Sequence, residues 1–487
     1  MSYLNTSILS LFNRCLSTKT SVLRVMDKYD EAIIALNSLQ SNAAYIRSRS
    51  YQKSSYEEDF NRTIVHTKKL LAKIGINKND LNKLSIIHVA GTKGKGFTCA
   101  YTESILRHHG FKTGFYSSPH LMEVRERIRI NGVPLSHEKF TQYFWKIYSI
   151  LNTPQNVPLA YFRFLTIMAF EVFLKEQVDV AIMEVGIGGE FDTTNVVSNV
   201  PVVGITSLGI DHTNLLGETI EEIAWHKAGI IKKNSNVFTV PQLINAINIL
   251  MERSKERGAG SFKIIEPFLK ESNLLNAYPD VINLNASLAV VLSHSWIQQN
   301  QGNKMDLDEF ASSCSTVKGL AQTSWPGRYQ IFKKNKSTLF LDGAHTAESM
   351  LICKKWFESK SFKSHREKAL IFNMIGQRDI EKLLGILITI DFDVVIFVPN
   401  ISGISHSPNN YVSPSSYYAD KCQQNKEAWL KLLENNNKKI IESNVLIMPN
   451  VLNALNYISL FEYDCLVTGS LHLMGAALEV LDPELKH

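Results

Sequence analysis

Ten short segments of this chain are apolar nearly from end to end, and that continuity limits its fold more than any other feature. "LSIIHVA" (Leu84–Ala90), "KTGFYSS", "DVAIMEVG", "PVVGITS" and "NVFTV" form a first series. "STLFLDGAH", "KALIFNMIG", "DVVIFVPN", "NVLIMPN" and "DCLVTGS" form a second, after "TSWPGRYQ". A strand with one wet face alternates apolar and polar residues, whereas strands of a parallel sheet covered on both faces do not. Longer amphipathic stretches separate the runs; "FTCAYTESILRHHG" reads as a helix closed by Gly110. The pattern predicts an α/β chain with a parallel sheet in each series and ligands beyond the carboxyl ends of the strands. Polar "QQNQGN" and serine-rich "ASSCST" lie between Trp296 and Ser324, which places a boundary near Trp325. The expected division is a leader over 1–26, a nucleotide-binding domain over 27–324 and a smaller Rossmann-like domain over 325–487, with the active site in the cleft. The 487 residues suit about two to three domains.

The net charge of +6 is dispersed and argues only weakly for nucleic acid. Small anionic ligands are the expected partners, and nucleic acid is not. No run reaches the ~18 apolar residues of a membrane span. Six scattered cysteines (Cys15, Cys99, Cys314, Cys353, Cys422, Cys465) fit a reducing compartment. The first 26 residues carry Arg14, Lys19 and Arg24 and no acid, which fits a mitochondrial transit peptide; a terminus that the fold ignores is the alternative. The expected location is therefore the mitochondrial matrix, the cytoplasm or both. A monomer is expected, although the sequence itself is silent on association.

Val89–Thr98, "VAGTKGKGFT", fails the G-x-x-x-x-G-K-[ST] pattern at its first glycine and after its lysine. The physical ingredients survive. A strand leads into Gly91, Gly94 and Gly96, a helix follows, and Lys95 offers a point charge to terminal phosphates. A glycine-rich turn that binds nothing is the alternative. Phe97, Tyr101 and Ile105 share one helical face, so the Phe97 side chain is expected to pack toward the core, with Thr98 about 100° around the helix. A metal would then take its ligands elsewhere. Glu184 ends "DVAIME", where an acid can meet magnesium beside a phosphate loop. Ser118 in "YSSPH" and His212 in "SLGIDHTNLLG" follow other strands; singly they read as turn chemistry and a structural histidine. Asp342 and His345 end the strand "LFLDGAHT", and Arg328 stands near the boundary. Arginine could pair with phosphate and aspartate with a ribose hydroxyl; an interdomain ion pair and a helix cap are the alternatives.

Taken together, "HVAGTKGKGFTCA", "TGFYSSPHLMEVRERIRING", "YFRFLTIMAFEVFL", "EVGIGGEFDTTN", "SLGIDHTNLLGETIEEIAWHKAGI", "WPGRYQ", "LDGAHT" and "LVTGSLHLMGAALEVL" resemble the folylpolyglutamate synthase family, of the wider Mur-ligase type. "SSPHL" and "SLGIDHT" look closer to its eukaryotic members than to dihydrofolate synthases. The resemblance implies ATP-dependent addition of L-glutamate to the γ-carboxylate of a reduced folate through an acyl phosphate. It implies Gly94, Lys95, Gly96 and Phe97 as phosphate-loop positions and Ser118, Glu184 and His212 as magnesium ligands. It further implies Arg328 and Asp342 as ATP contacts, Lys227 as a lysine that some relatives carry as a carbamate, and His345 as a motif histidine near the nucleotide. Lys95, Glu184, His212, Lys227 and His345 are thus the expected catalytic set, with ATP, Mg2+ and a monovalent cation as cofactors. Two departures stand out. Phe97 replaces the usual serine, so a hydroxyl contact is missing or passes to Thr98. "INLNAS" keeps Asn285 but has Ile282 in the place of a glutamine. Rival readings are a dihydrofolate synthase and a non-catalytic nucleotide-binding protein. A switch GTPase would show "NKxD" after a strand; the nearest match, "NKND" at Asn77–Asp80, precedes the phosphate loop.

Overall fold

The computed structural model describes residues 27–39, 56–153, 159–269, 279–302, 305–374, 379–404, 415–438 and 444–484, so the leader lies outside it. All ten apolar runs are strands. The first sheet contains β1 (Ile86–Ala90), β2 (Thr113–Tyr116), β3 (Ile128–Ile130), β4 (Val133–Pro134), β5 (Val180–Glu184), β6 (Val202–Ile205), β7 (Asn236–Thr239) and β8 (Ser261–Ile264). Their spatial order is β4-β3-β2-β5-β1-β6-β7-β8, parallel from β2 to β8, with β3 and β4 antiparallel at one edge. The second contains β9 (Gln330–Lys334), β10 (Ser337–Asp342), β11 (Glu367–Phe372), β12 (Val394–Phe397), β13 (Val445–Ile447) and β14 (Tyr463–Thr468). Its order is β13-β12-β11-β14-β10-β9, and only β9 runs antiparallel.

Both sheets are covered on two faces, as unbroken apolar strands require. In β1, Ile86 and Ala90 join one core while Ile87 and Val89 join the other. The helices that matter for the site are α1 (Lys95–His108), α2 (Tyr161–Glu176), α3 (Ile220–Ala228), α4 (Asp280–Gln301), α5 (Ala347–Ser361) and α6 (Leu471–Leu481).

The polar stretch before the expected boundary near Trp325 is largely helical. α4 runs through it to Gln301, with Trp296 buried and its indole N–H donated to Ser85 Oγ at 2.9 Å. Helical turns at Leu307–Ser312 and Cys314–Ala321 follow and sink Phe310 and Leu320 into the same core. Gln298–Gln301 are exposed at the end of α4, and Thr316 is buried with Phe310 and Leu320 under the following turns. No described helix is long and apolar enough to cross a membrane.

Candidate active site

Four neighbouring strands, β2, β5, β1 and β6, deliver the predicted residues of the first sheet to one edge. Ser118 follows β2, Glu184 ends β5, Lys95 follows β1 and His212 follows β6. The loop after β1 is tight at each of its glycines, most of all at Gly91, where a Cβ would sit 1.8 Å from Thr206 Oγ1. Gly94 has φ +88°, and a Cβ there would sit 2.3 Å from Asn285 Oδ1; one on Gly96 would sit 2.5 Å from the Trp325 ring. The loop is fastened to the segment after β6: the N–H groups of Thr92 and Lys93 donate to the Ser207 carbonyl at 2.9 and 3.1 Å. Thr92 Oγ1 donates to the Gly209 carbonyl and accepts the Gly209 N–H, both at 3.1 Å. Lys93 pairs with Asp211 at 3.6 Å.

Two ammonium groups converge on a single backbone oxygen. Lys95 Nζ donates to the Gly91 carbonyl at 3.1 Å, and Lys227 Nζ, from α3, donates to the same carbonyl at 2.8 Å. Burial pushes the Lys227 pKa down to about 7, with the nearby charge of Lys95 acting in the same direction. Within the field of Lys95, Glu184 is buried, and its Oε2 accepts the Ser118 N–H at 3.0 Å. Burial raises its pKa, while Lys95, the Ser118 N–H, Arg127 and Arg328 favour the carboxylate. A buried carboxylate at a strand end, facing cations and holding one N–H, suits a hard divalent ion. His212 has left-handed backbone (φ 52°), and its N–H donates to Asp211 Oδ1 at 2.9 Å. Desolvation lowers its pKa; Asp211 opposes this, whereas Lys95, Lys227 and Lys93 reinforce it. Ser118 and Glu184 are thus in direct contact, while His212 stands in the field of the same lysines. No three His, Cys, Asp or Glu side chains gather into a metal cage among the described residues.

From the second sheet, Asp342 at the end of β10 is buried and accepts the Tyr329 N–H at 3.3 Å. Burial raises its pKa to about 6, against the pull of Arg328 and of backbone N–H groups. Arg328 also acts on Glu184 and Lys93, so its charge reaches the phosphate loop. His345 Nδ1 lies 2.8 Å from the Gly343 carbonyl, and the His345 N–H donates to Ser349 Oγ at 3.1 Å, which fixes the residue at the start of α5. A Cβ on Gly209 would lie 3.7 Å from Glu348 Oε2, so α5 borders the segment after β6.

Phe97 behaves partly as expected. It stacks on Tyr101 at 6.2 Å, but it is only half-buried and its outer side stacks on Tyr329 at 6.1 Å, next to Arg328. Helical spacing registers the partner four residues on and cannot register a ring more than two hundred residues away. Thr98 turns inward: it is buried, and its Oγ1 has no hydrogen-bond partner among the described residues. Asn285 is also buried, with an unpartnered Oδ1 beside Gly94. The sequence reading missed the Lys93–Asp211 pair, although both residues lie in motifs it quoted. It also missed His120, half-buried and accepting from Arg127 Nε at Nδ1 (2.9 Å), with the Arg127 guanidinium 5.3 Å from the Tyr161 ring centroid on α2.

The family model described as Dihydrofolate synthetase, C-terminal domain, matches residues 327–480. The mitochondrial folylpolyglutamate synthase of Cricetulus griseus is 36% identical over 549 aligned positions, covering 94% of this chain and 92% of the relative. The chain belongs to the folylpolyglutamate synthase family. Among solved structures, Escherichia coli FolC in complex with DHPP and ADP superimposes with a TM-score of 0.65 at 25% identity, covering 86% of this chain and 92% of its own. A bifunctional folylpolyglutamate synthase/dihydrofolate synthase with Mn, AMPPNP and L-glutamate bound has the same fold (TM-score 0.65, 24% identity, 86% and 94% covered). Within this folylpolyglutamate synthase framework, Ile282 is 1% exposed in the core behind the phosphate loop. The side chain in the glutamine place therefore packs, and Asn285 alone presents a polar atom to Gly94.

Proposed function

We propose that this chain binds MgATP along the carboxyl edge of its first sheet and closes Arg328 and Asp342 onto the nucleotide. The chain is an ATP-dependent ligase of the folylpolyglutamate synthase type, joining L-glutamate to folates. The observation that carries the detailed reading is the convergence of Lys95 and Lys227 on the Gly91 carbonyl, with the buried Glu184 in the field of Lys95.

A carboxylate and an amine at neutral pH form a salt, so the folate γ-carboxylate needs a leaving group before an amide can form. Attack on the γ-phosphate of ATP gives an acyl phosphate and ADP; the glutamate amine then attacks the acyl carbon and phosphate leaves. Lys95 offsets the repulsion between the two approaching anions. Ser118, Glu184 and His212 would hold Mg2+, which when bound supplies further positive charge at the phosphates. Arg328 pairs with phosphate. Asp342, whose pKa of about 6 leaves it ionised at neutral pH, accepts from a ribose hydroxyl. Phe97 and Tyr329 stack where the loop meets the second sheet and would screen the acyl phosphate from water. Lys227, shifted to about 7, has the neutral amine that a carbamate requires. His345 lies close enough to influence Asp211 and is assigned to the nucleotide side of the cleft. No described residue is assigned to the monovalent cation.

The proposed domains are 27–324 and 325–487. The proposed setting is a monomer in the mitochondrial matrix, with the cytoplasm as a second location; the basic leader and the relative named as mitochondrial support the first. The test is incubation with tetrahydrofolate, MgATP and glutamate followed by mass analysis. Added glutamyl units are expected, with ATP consumption requiring both other substrates; consumption without either would leave only a nucleotide-binding protein. Dihydrofolate synthase remains the second reading because of the description of the matching C-terminal family model. Dihydropteroate supplied as sole acceptor distinguishes it. Arg328→Ala is expected to raise the apparent KM for ATP by about tenfold or more, the loss of a charge-assisted phosphate contact, with a smaller fall in kcat. An unchanged ATP dependence would remove Arg328 from the nucleotide.

A further inference from the structure

Away from the phosphate loop, a cavity of about 340 Å³ lies along α1. Ala100, Glu103, Ser104 and Arg107 line it, and their spacing puts them on one face of that helix. Gln322, Thr323, Ser324 and Pro326, from the segment joining the two sheets, close another side, while Phe115, Met122, Val133 and Pro134 add apolar wall.

Most charges around the cavity are satisfied by one another. Arg107 Nε donates to Glu103 at 3.0 Å, and Arg125 pairs with Glu123. Glu126 accepts the backbone N–H groups of Leu121, Met122 and Glu123. Arg129 differs. Its Nε donates to the Glu126 carbonyl at 3.0 Å, and no carboxylate among the described residues lies within ion-pair distance of it. The guanidinium carbon lies over two aromatic rings, 5.4 Å from the Phe115 centroid and 5.6 Å from that of Trp325. The cavity therefore presents one oriented guanidinium with donors to spare, beside an apolar wall. Glu126 and Glu103 already act on Arg129, so each further negative charge on a ligand adds repulsion, and a single carboxylate on an apolar body keeps it smallest.

We propose that this cavity is a second binding site for a compact monocarboxylate with an aromatic or aliphatic body, held at its carboxylate by Arg129. Its occupancy reaches the nucleotide loop through Trp325, whose ring touches both the Arg129 guanidinium and the space above Gly96.

Benzoate is the probe, titrated by calorimetry into the full-length protein. Saturable binding is expected, with benzamide, the uncharged analogue, at least about tenfold weaker for want of a charge-assisted hydrogen bond. Inorganic phosphate binding as tightly as benzoate would overturn the ligand class. Arg129→Met should abolish benzoate binding and, with it, any effect of benzoate on the apparent KM for ATP. Because Arg129 supports the Phe115–Trp325 packing, Val133→Glu is the second variant. Val133 is 66% exposed, so the fold tolerates the change, and a like charge at the rim should weaken benzoate. Saturating benzoate should also shift the apparent KM for ATP by at least about twofold, a coupling of a few tenths of a kcal/mol. Absence of saturable binding, or wild-type affinity in both variants, overturns the site; an unchanged KM for ATP overturns the coupling.

Discussion

Lys95→Ala is expected to lower glutamylation turnover by about three orders of magnitude, the scale on which removing one preorganised charge stabiliser acts. Two anions meet when the folate carboxylate approaches ATP, and Lys95 stands at the start of α1, where the helix N-terminus and its own charge act together on the phosphates. The fold should survive. Lys95 is half-buried at the start of α1 and makes one backbone hydrogen bond, at 3.1 Å, to an oxygen that Lys227 also holds. Removing it also removes a like charge next to Lys227, so the Lys227 pKa should rise above about 7. Single-turnover rates with unfolding curves and a pH titration of Lys227 check all three points. Near-normal turnover would exclude Lys95 from the chemistry.

The second large effect is expected at Asp342, where stability and activity should move in opposite directions. Burial raises its folded-state pKa from 3.8 to about 6. Between those values the native state binds more protons than the unfolded one. The group's favourable contribution is therefore full below pH 3.8 and lost as pH rises through 6. At pH 7 the ionised carboxylate destabilises the fold by about 3 kcal/mol, from 1.36 kcal/mol per pKa unit. Asp342→Asn keeps an oxygen to accept the Tyr329 N–H and removes the buried charge. It should stabilise the protein by about 1–3 kcal/mol at pH 7 and by about a third of that at pH 4.5, where the folded carboxyl is protonated but the unfolded one is already mostly ionised. Turnover should fall by about a hundredfold, since an amide accepts from a ribose hydroxyl more weakly than a carboxylate. Denaturant midpoints at the two pH values and steady-state kinetics test this; equal stability at pH 7 would mean that the buried charge is compensated in the free protein.

The apolar strands were legible because burial on two faces leaves an uninterrupted signature. β9 was not, because Gln330–Lys334 lies at an edge and alternates half-buried with exposed residues, a weak pattern in five residues. The strand-end positions of Ser118, Lys95, Glu184 and His212 could be read from motifs beside the runs. Their order in space could not, since it depends on β1 lying between β5 and β6. Phe97 shows the same limit: its contact with Tyr101 is a matter of helical spacing, and its contact with Tyr329 is a product of tertiary structure. The Arg129 guanidinium, held between two rings distant in sequence, left no local trace at all.

The shared Gly91 carbonyl has a mechanical consequence. Lys95 and Lys227 are 132 positions apart along the chain, yet each is moored to the same peptide plane. A tilt of that plane would swing both positive heads together rather than one at a time. Any incoming phosphate that draws Lys95 away leaves Lys227 as sole claimant of the oxygen, so the peptide keeps a donor while the phosphate is bound.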